Sequence, residues 1–361
     1  HYAHCSQWFF PLNQGIVLNF LFRCDAAPDI GFGHVSRCLT LARYYQQNYD
    51  CRINFAIRRN DAVISKVRTE FQVLQSNENS SFAYLRWLED CIEKTDANIL
   101  ILDVRDGLRA ADLVNLKQKG VLVVSIDDPE EKRLGADILF YPPVPQVQEM
   151  DWFGFKGKLF SDWPYAIVSQ KMDEQHMLTH GRQIELLISM GWSDPADLTL
   201  LALEAVEHIE RTIDITLVIG GGFRSRDKII SIINASHHKI EVAEEPDSVI
   251  SLLSASRLAL VSFGVTAYEA AALYVPTILV CLTLDHAKAA SAFHDTGIGL
   301  NTGVYSDLIP KKLGQLIEET LIDKKTLEQM SRSLQGLDCG NIQRLGDEIV
   351  DTFTSANDNG L

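Results

Sequence analysis

Residues 16–42 of this chain read IVLNFLFRCDAAPDIGFGHVSRCLTLA, and this stretch decides the fold. The apolar run from Ile16 to Phe22 predicts a buried strand, and Val35 to Gln47 predicts an amphipathic helix. The loop between them contains Gly31 and Gly33 immediately before the helix. A strand, a glycine-containing loop and a helix in this order are typical of a βαβ unit, from which parallel sheets with helices on both faces are built.

The same alternation continues along the chain in two series. The further strands predicted in the first series are Ile53 to Ile57, Ile99 to Leu102, Val121 to Ile126 and Ile138 to Phe140. After a polar stretch from Ser169 to Arg182, the second series comprises Ile184 to Met190, Ile215 to Ile219, Ile240 to Val242, Leu258 to Val261 and Thr277 to Cys281. Two such series predict an α/β protein with two Rossmann-like, doubly wound parallel-sheet domains.

We place the first domain at residues 1–175, the second at residues 176–335, and a C-terminal helix and tail at residues 336–361. The segment from Asp307 to Phe353 has a helical pattern and could cross back to pack on the first lobe.

Composition restricts the class of protein. A chain of 361 residues with 46% hydrophobic and 22% charged residues is globular and long enough for two domains. A net charge of −15 argues against a nucleic-acid partner, which requires a basic face. The 7 cysteines form no C-x-x-C pair, so we predict neither a zinc site nor a disulfide framework, and no metal or other cofactor. No apolar run is long enough to span a bilayer, and His1 to Asn13 lack the features of a signal peptide, so we expect a cytoplasmic protein.

The loop after the first strand is the first candidate site. Ligands of open α/β sheets bind where strands end and helices begin, and Gly31 and Gly33 allow the backbone to approach a ligand closely. His34 stands at the helix start, where the helix dipole favours the neutral imidazole that a general base needs. The alternative interpretation is that His34 only caps the turn.

A second loop, Ser262 to Glu269, follows the strand Leu258 to Val261. Thr266 and Glu269 have the T-x-x-E spacing of a capping box, which is a sufficient structural reason for both. Gly264 before a helix N-terminus is equally suited to hold a diphosphate, and Glu269 could accept hydrogen bonds from ribose hydroxyls.

Other polar positions give weaker signals. Gly191 could approach a phosphate, and Ser193 or Asp194 could cap the following helix. Gly220 to Gly222 is either a flexible turn or part of a base pocket, and His237-His238 has the pattern of a solvated turn. We give metal binding little weight at Asp127-Asp128 and at the pair formed by His176 and His180, which lacks the H-E-x-x-H register.

Several stretches match the motifs of a known family in order along nearly the whole chain. They are Arg23-x-Asp25, Gly31-x-Gly33-His34-x-x-Arg37-Cys38-Leu39-x-Leu41-Ala42, Asp127-Asp128, Leu159-Phe160 through Pro164-Tyr165-Ala166, Met190 to Pro195, Gly264-x-Thr266-x-x-Glu269 through Val275-Pro276, and Asp338-x-Gly340-x-x-Arg344. In these stretches the chain resembles the UDP-sugar hydrolases of the pseudaminic acid pathway and their spore-coat polysaccharide relatives, the PseG/SpsG group. The resemblance implies a GT-B fold, in which two Rossmann-like domains face a cleft.

The resemblance also implies an activity and a site. The chain would cleave the anomeric C–O bond of a UDP-2,4-diacetamido-2,4,6-trideoxy-hexose or a similar nucleotide sugar and release UDP, for nonulosonic-acid or surface-polysaccharide synthesis. His34 and Asp25 would be the catalytic residues. The residues implied to bind the nucleotide or the sugar are Gly31, Gly33, Arg37, Gly191, Ser193, Phe263, Gly264, Val265, Thr266, Glu269, Asp285 and His286.

The chain departs from the family on the sugar-facing side. The family commonly has Asp-His-Tyr where this chain has Asp103-Val104-Arg105, and the family's Glu-Asn-Gln reads Leu284-Asp285-His286 here. The usual glycine before Tyr-Ala-Leu is replaced around Asp162-Trp163. Three functions therefore remain: a nucleotide-sugar hydrolase, a GT-B glycosyltransferase with another acceptor, and a non-catalytic nucleotide-sugar binding protein.

Overall fold

The computed structural model describes residues 17–26, 31–58, 60–76, 83–169, 182–246 and 249–358. The predictions about the first thirteen residues and about His176 and His180 lie outside the described residues, as does the proposed domain boundary between residues 175 and 176.

The first lobe is built on a seven-stranded parallel sheet with the strand order β3-β2-β1-β4-β5-β6-β7. Its strands are β1 (Leu18–Cys24), β2 (Cys51–Ile57), β3 (Gln72–Gln75), β4 (Ile99–Asp103), β5 (Leu122–Ile126), β6 (Ile138–Tyr141) and β7 (Lys158–Ser161). Its helices are α1 (Gly33–Asn48), α2 (Asp61–Arg68), α3 (Tyr84–Thr95) and α4 (Ala110–Gln118). The central strands are buried on both faces, which explains why they are nearly continuous apolar runs.

The second lobe is built on a six-stranded parallel sheet with the order β10-β9-β8-β11-β12-β13. Its strands are β8 (Ile184–Ser189), β9 (Asp214–Ile219), β10 (Lys239–Glu244), β11 (Ser256–Ser262), β12 (Thr277–Cys281) and β13 (Gly299–Val304). Its helices are α5 (Leu198–Val206), α6 (Arg226–Ala235), α7 (Ile250–Ser254), α8 (Val265–Ala272), α9 (Leu284–Ala289), α10 (Ser291–Asp295), α11 (Pro310–Ile322) and α12 (Lys324–Gln335).

Helices cover both faces of each sheet. In the first lobe, residues of α1 and α2 belong to one apolar cluster, and residues of α3 and α4 belong to another on the opposite face. The second lobe is likewise divided into a cluster around α7 and α8 and a cluster around α5 and α11. Two doubly wound parallel sheets are therefore present, as predicted.

The last helix, α13 (Ile342–Asp358), packs on the first lobe. Its residues Leu345 and Ile349 are buried in the same cluster as α1, and Asp347 accepts a hydrogen bond from the hydroxyl of Tyr49 (3.0 Å). The chain enters α13 past Gly340, which has φ = +69° and donates its N–H to the carbonyl of Trp163 (3.0 Å). The Asp338 to Arg344 motif thus forms the crossover between the lobes.

The elements that were not predicted are mostly at sheet edges. Strands β3, β7 and β13 are short or only partly buried, so their sequences lack the apolar run that marks a central strand. Between β12 and β13 the chain forms two short helices, α9 and α10. Among the described residues, no helix combines the length and apolar character needed to cross a bilayer.

Candidate active site

The carboxyl ends of both sheets open into a cleft between the lobes with a volume of about 1180 Å³. In each sheet the strand order reverses beside the first strand of the series, at β1/β4 and at β8/β11, and such reversal points are where ligands of open α/β sheets bind. The cleft is lined by all the predicted site residues, namely Asp25, Gly31, Gly33, His34, Arg37, Gly191, Ser193, Phe263, Gly264, Val265, Thr266, Glu269, Asp285 and His286. Their individual roles stay predictions.

The start of α1 lies directly against the start of α8 from the other lobe. A Cβ atom placed on Gly33 would stand 3.2 Å from Cγ2 of Val265, which is closer than ordinary van der Waals contact. Glycine at position 33 therefore allows the two helix N-termini to approach each other. His34, the next residue of α1, lines the same cleft as Gly264, Val265 and Thr266 at the start of α8.

His34 is oriented by a buried carboxylate. Its Nδ1 lies 2.5 Å from Oδ1 of Asp103, the last residue of β4, whose side chain is fully buried. Burial alone would raise the pKa of Asp103, but the charge of Arg37 and the contact with His34 outweigh burial and lower that pKa to about 2. Because the ionised carboxylate can only accept, we assign the proton of His34 to Nδ1, which leaves the Nε2 lone pair available as a base.

Arg37, one turn further along α1, fixes the carboxylate from its other side. Its Nε donates to Oδ2 of Asp103 and its Nη2 donates to Oδ1, both at 2.8 Å. Its Nη1 lies 3.3 Å from Oδ2 of Asp127, which follows β5. Arg37 thus lines the cleft, but its guanidinium is occupied by two carboxylates.

Asp25 reaches the cleft with both of its oxygens already bonded. Arg23 donates to them at 2.7 and 2.6 Å, and Arg58 donates through its backbone N–H (2.9 Å) and its Nε (2.8 Å). Burial opposes ionisation, but the hydrogen bonds and charge of Arg23, together with Arg58, lower the pKa of Asp25. A carboxylate held this way is a poor proton acceptor, so the geometry favours a structural role in fixing the loop over the predicted catalytic one.

The second lobe contributes two glycine loops to the cleft. Gly191 follows β8 with φ = +89°, a conformation that favours glycine, and its Cβ position is 3.5 Å from Oγ of Ser262. Gly264 is the N-cap of α8, so the free N–H groups of that helix point into the cleft.

The predicted capping box is wrong. Helix α8 begins at Val265 and has no side-chain cap, so Thr266 lies inside its first turn. Glu269 instead accepts a hydrogen bond from the hydroxyl of Ser169 (2.9 Å), and burial raises the pKa of Glu269. The box fails because the helix starts before the threonine, which therefore cannot stand outside the helix as its cap.

The neighbouring loop of the second lobe is fixed by packing. Asp194 accepts hydrogen bonds from the backbone N–H groups of Leu198 and Thr199, both at 2.8 Å, and so acts as a cap for α5. Gly220 lies against Trp192, where a Cβ atom would be 2.3 Å from the carbonyl oxygen. Gly220 and Gly221 line the cleft, so this glycine run forms part of the site wall.

The departures from the family fall into two groups. Val104, Arg105, Asp285 and His286 line the cleft, so these replacements change its surface. Asp162 and Trp163 do not line it: Trp163 is buried and its ring lies 5.0 Å from that of Phe293 in the second lobe. The replacement at Asp162-Trp163 therefore affects the connection between the lobes.

The prediction of a solvated turn at His237-His238 is wrong for His238, which is only 7% exposed. Its Nδ1 accepts from the backbone N–H of Ile213 (3.3 Å), and its Nε2 donates to the carbonyl of Val206 (2.7 Å). Ligand atoms of Glu207, His237 and His238 lie within 4.8 Å of one another. Because both nitrogens of His238 are occupied by backbone groups, this arrangement favours structural hydrogen bonding over metal binding.

Asp103 is the site residue that sequence reasoning did not single out. In the comparison with the family, Asp103 is the residue that stays the same in the otherwise altered Asp103-Val104-Arg105 stretch. The signal that identifies it is its position at the carboxyl end of a strand adjacent to β1 in the sheet. The adjacency of β1 and β4 follows from the doubly wound order and not from chain order.

Comparisons with known proteins fit this geometry. No protein-family profile matches the chain. Over 268 residues it is 24% identical to an uncharacterised protein of Methanocaldococcus jannaschii, covering 71% of this chain and 54% of that protein. Over 279 residues it is 22% identical to the UDP-2,4-diacetamido-2,4,6-trideoxy-beta-L-altropyranose hydrolase of Campylobacter jejuni, covering 76% of this chain and 95% of the hydrolase. The match thus spans about half the length of the first relative and nearly all of the second.

Solved structures with a similar fold include MurG of Acinetobacter baumannii, with a TM-score of 0.69 at 15% identity over 92% of this chain and 99% of that one. Anabaena HepE in complex with UDP has a TM-score of 0.61 at 12% identity over 94% of this chain and 100% of that one. At identities of 15% and 12%, the structural similarity is evidence for a shared fold alone. In fold the chain is a GT-B protein, and in sequence it is similar to a UDP-sugar hydrolase, so the predicted fold class and the resemblance seen in the opening motif are both confirmed.

Proposed function

We propose that this protein is a nucleotide-sugar hydrolase that uses His34 to activate water. The observation that carries the proposal is the Asp103-oriented imidazole of His34, placed on the first lobe directly opposite the N-terminus of α8. The fold likeness to proteins that bind UDP, and the sequence similarity to a UDP-sugar hydrolase, support a nucleotide sugar as substrate.

In this proposal the second lobe holds the nucleotide. The loops at Gly191 and Gly264 bring backbone N–H groups to the diphosphate, which needs no side-chain charge to bind at a helix N-terminus. The carboxylate of Glu269, which now contacts Ser169, accepts hydrogen bonds from the ribose hydroxyls.

The first lobe supplies the base. Nε2 of His34 takes a proton from water as the water oxygen forms a bond to the anomeric carbon. The bond between that carbon and the phosphate oxygen breaks, and its electron pair leaves with the nucleoside diphosphate. Asp103 stabilises the imidazolium that results, because its negative charge is fixed beside Nδ1 in a buried position.

The test is to incubate the purified protein with UDP-, GDP- and CMP-sugars without an acceptor and to measure released nucleotide. The proposal predicts release of UDP and free sugar from a deoxy-acetamido donor, and loss of that release in His34→Ala with UDP binding retained.

Three results would contradict the proposal in different ways. UDP binding without release from any donor would favour a glycosyltransferase that requires its own acceptor. Wild-type turnover in His34→Ala would remove the base assigned here. No binding of any nucleotide would exclude a nucleotide-sugar function.

A further inference from the structure

The charges that line the cleft are divided between the lobes. Among the described residues of the lining, every lysine and arginine belongs to the first lobe: Arg37, Arg43, Arg58, Lys66 and Arg105. The acidic residues that the second lobe contributes are Asp194, Glu245, Glu269 and Asp285. A diphosphate held by backbone groups of the second lobe therefore finds its side-chain cations only across the cleft.

Three of the arginines are already occupied. Arg37 binds Asp103 and Asp127, Arg43 binds Glu70, and Arg58 binds Asp25. Each of them carries a charge that a neighbouring carboxylate largely neutralises.

Lys66 is also engaged, because its ammonium lies 4.7 Å from the centre of the Phe32 ring. Arg105 differs from the other four cations. It is exposed in the cleft, and in the described part of the chain it has no ion pair and no hydrogen bond.

The backbone around Arg105 is held rigidly although its side chain is free. The buried ammonium of Lys132 donates to the carbonyl of Val104 (2.8 Å) and lies 2.9 Å from the carboxylate of Asp106. Asp106 also accepts from the hydroxyl of Tyr84 (2.6 Å). The residues on either side of Arg105 are thus tied to one buried cluster, which presents a single uncompensated guanidinium at the cleft surface.

Arg105 and His286 line the same cleft from opposite lobes. Burial lowers the pKa of His286, and the positive charge of Arg105 lowers it further. Nδ1 of His286 is buried and has no hydrogen-bond partner among the described residues. The gap between Arg105 and His286 therefore contains polar groups that the protein itself does not satisfy.

We propose that Arg105 binds the diphosphate of the nucleotide sugar from the first lobe and stabilises the leaving nucleoside diphosphate. This inference rests on the proposed function, since it needs a nucleotide held on the second lobe. As the anomeric C–O bond breaks, its electron pair passes to the phosphate oxygen, and the fixed guanidinium lies opposite the growing negative charge. Arg105 gives up no proton, because the proton from water is taken by His34.

The experiment compares Arg105→Gln with wild type for the dissociation constants of UDP and of uridine, by calorimetry, and for turnover of the donor found above. A charge-assisted hydrogen bond to phosphate predicts UDP affinity lower by about tenfold to a hundredfold, with uridine affinity unchanged. Turnover should fall by at least the same factor, and Arg105→Lys should recover part of both losses because it keeps the charge without the planar fork.

Arg109→Gln is the matched control. This arginine lies four residues further along, its side chain is 77% exposed, it binds Asp112, and it does not line the cleft. It should leave UDP affinity and turnover at wild-type values.

The possible failures are distinguishable. Wild-type UDP affinity and turnover in Arg105→Gln would overturn this inference and leave the proposed function standing. Wild-type UDP affinity with reduced turnover of the donor in Arg105→Gln would also overturn it, because Arg105 would then act on the sugar and not on the diphosphate. Absence of UDP binding in the wild-type protein would overturn the proposed function and this inference with it.

Discussion

Replacing Asp103 with asparagine tests the core of the proposed mechanism with minimal change of shape. The carboxylate accepts three hydrogen bonds, one from His34 and two from Arg37. An asparagine at this position must direct its NH₂ group at one of these partners. If the NH₂ faces His34, it donates to Nδ1, moves the imidazole proton to Nε2 and removes the base; if it faces Arg37, two donors oppose each other.

The stability effect of Asp103→Asn follows from the pKa of Asp103. A native pKa of about 2 against a reference of 3.8 corresponds to about 2 kcal/mol of stabilisation. Because the native pKa is lowered, this contribution is present above pH 4 and is lost as the pH falls towards 2. We expect the free energy of unfolding at pH 7 to fall by about 2 to 3 kcal/mol in Asp103→Asn, because the largely buried Arg37 loses one of its two carboxylate partners.

The catalytic effect should be larger than the stability effect. Loss of a positioned general base lowers turnover by a factor of about 10² to 10⁴. UDP affinity should stay unchanged, because neither Asp103 nor His34 is assigned a contact with the nucleotide. Initial rates of UDP release, calorimetric titration with UDP and urea unfolding measure the three quantities separately.

Asp112→Asn is the control for Asp103→Asn, since it breaks an aspartate–arginine pair of the same lobe outside the cleft. It should leave turnover unaltered. A folded Asp103→Asn protein that retains more than about a tenth of wild-type turnover would refute the role given to Asp103, because that loss is less than a general base contributes.

Three further predictions concern other parts of the site and fold. Burial raises the pKa of Glu269, so the free energy of unfolding of the wild type should fall as the pH rises above 4.5 towards the native pKa. In urea unfolding, Glu269→Gln should abolish this dependence of the free energy of unfolding on pH. The same variant should bind UDP about tenfold more weakly. Gly340→Ala should lower the free energy of unfolding by more than Gly107→Ala does. Both glycines have φ near +70°, and this backbone strain costs each variant about 1 kcal/mol. Only Gly340 also lacks room for a Cβ atom. Gly33→Ala should lower turnover about tenfold, because the added methyl group separates the starts of α1 and α8. Adding Val265→Ala should restore most of the rate. Equal rates in the single and double variants would disprove the contact between positions 33 and 265.

The central part of the fold could be predicted because its physical signal is local. Strands such as β4 and β12 are buried on both faces, which requires a continuous apolar run. The loops after β1, β8 and β11 contain the glycines that a ligand-binding turn needs. Strand β7 could not be predicted, because it is short, lies at a sheet edge and is mostly exposed. Its pairing with β6 gives it an extended conformation that its own sequence, Lys158–Ser161, does not specify.

The sequence predicts which loops form the site but not which side chains contact each other there, because the contacting residues are far apart along the chain. His34 and Asp103 are 69 positions apart and meet only because β4 lies beside β1 in the sheet. The contact between Gly33 and Val265 depends further on how the two lobes sit against each other, which no local pattern encodes. Asp25 illustrates the same limit: its place in the loop motif predicts catalysis, but both of its oxygens accept hydrogen bonds from Arg23 in β1 and from Arg58, which follows β2. A residue type at a strand end therefore indicates that a side chain reaches the cleft, whereas its partners in the sheet decide whether that side chain is free to act on a substrate.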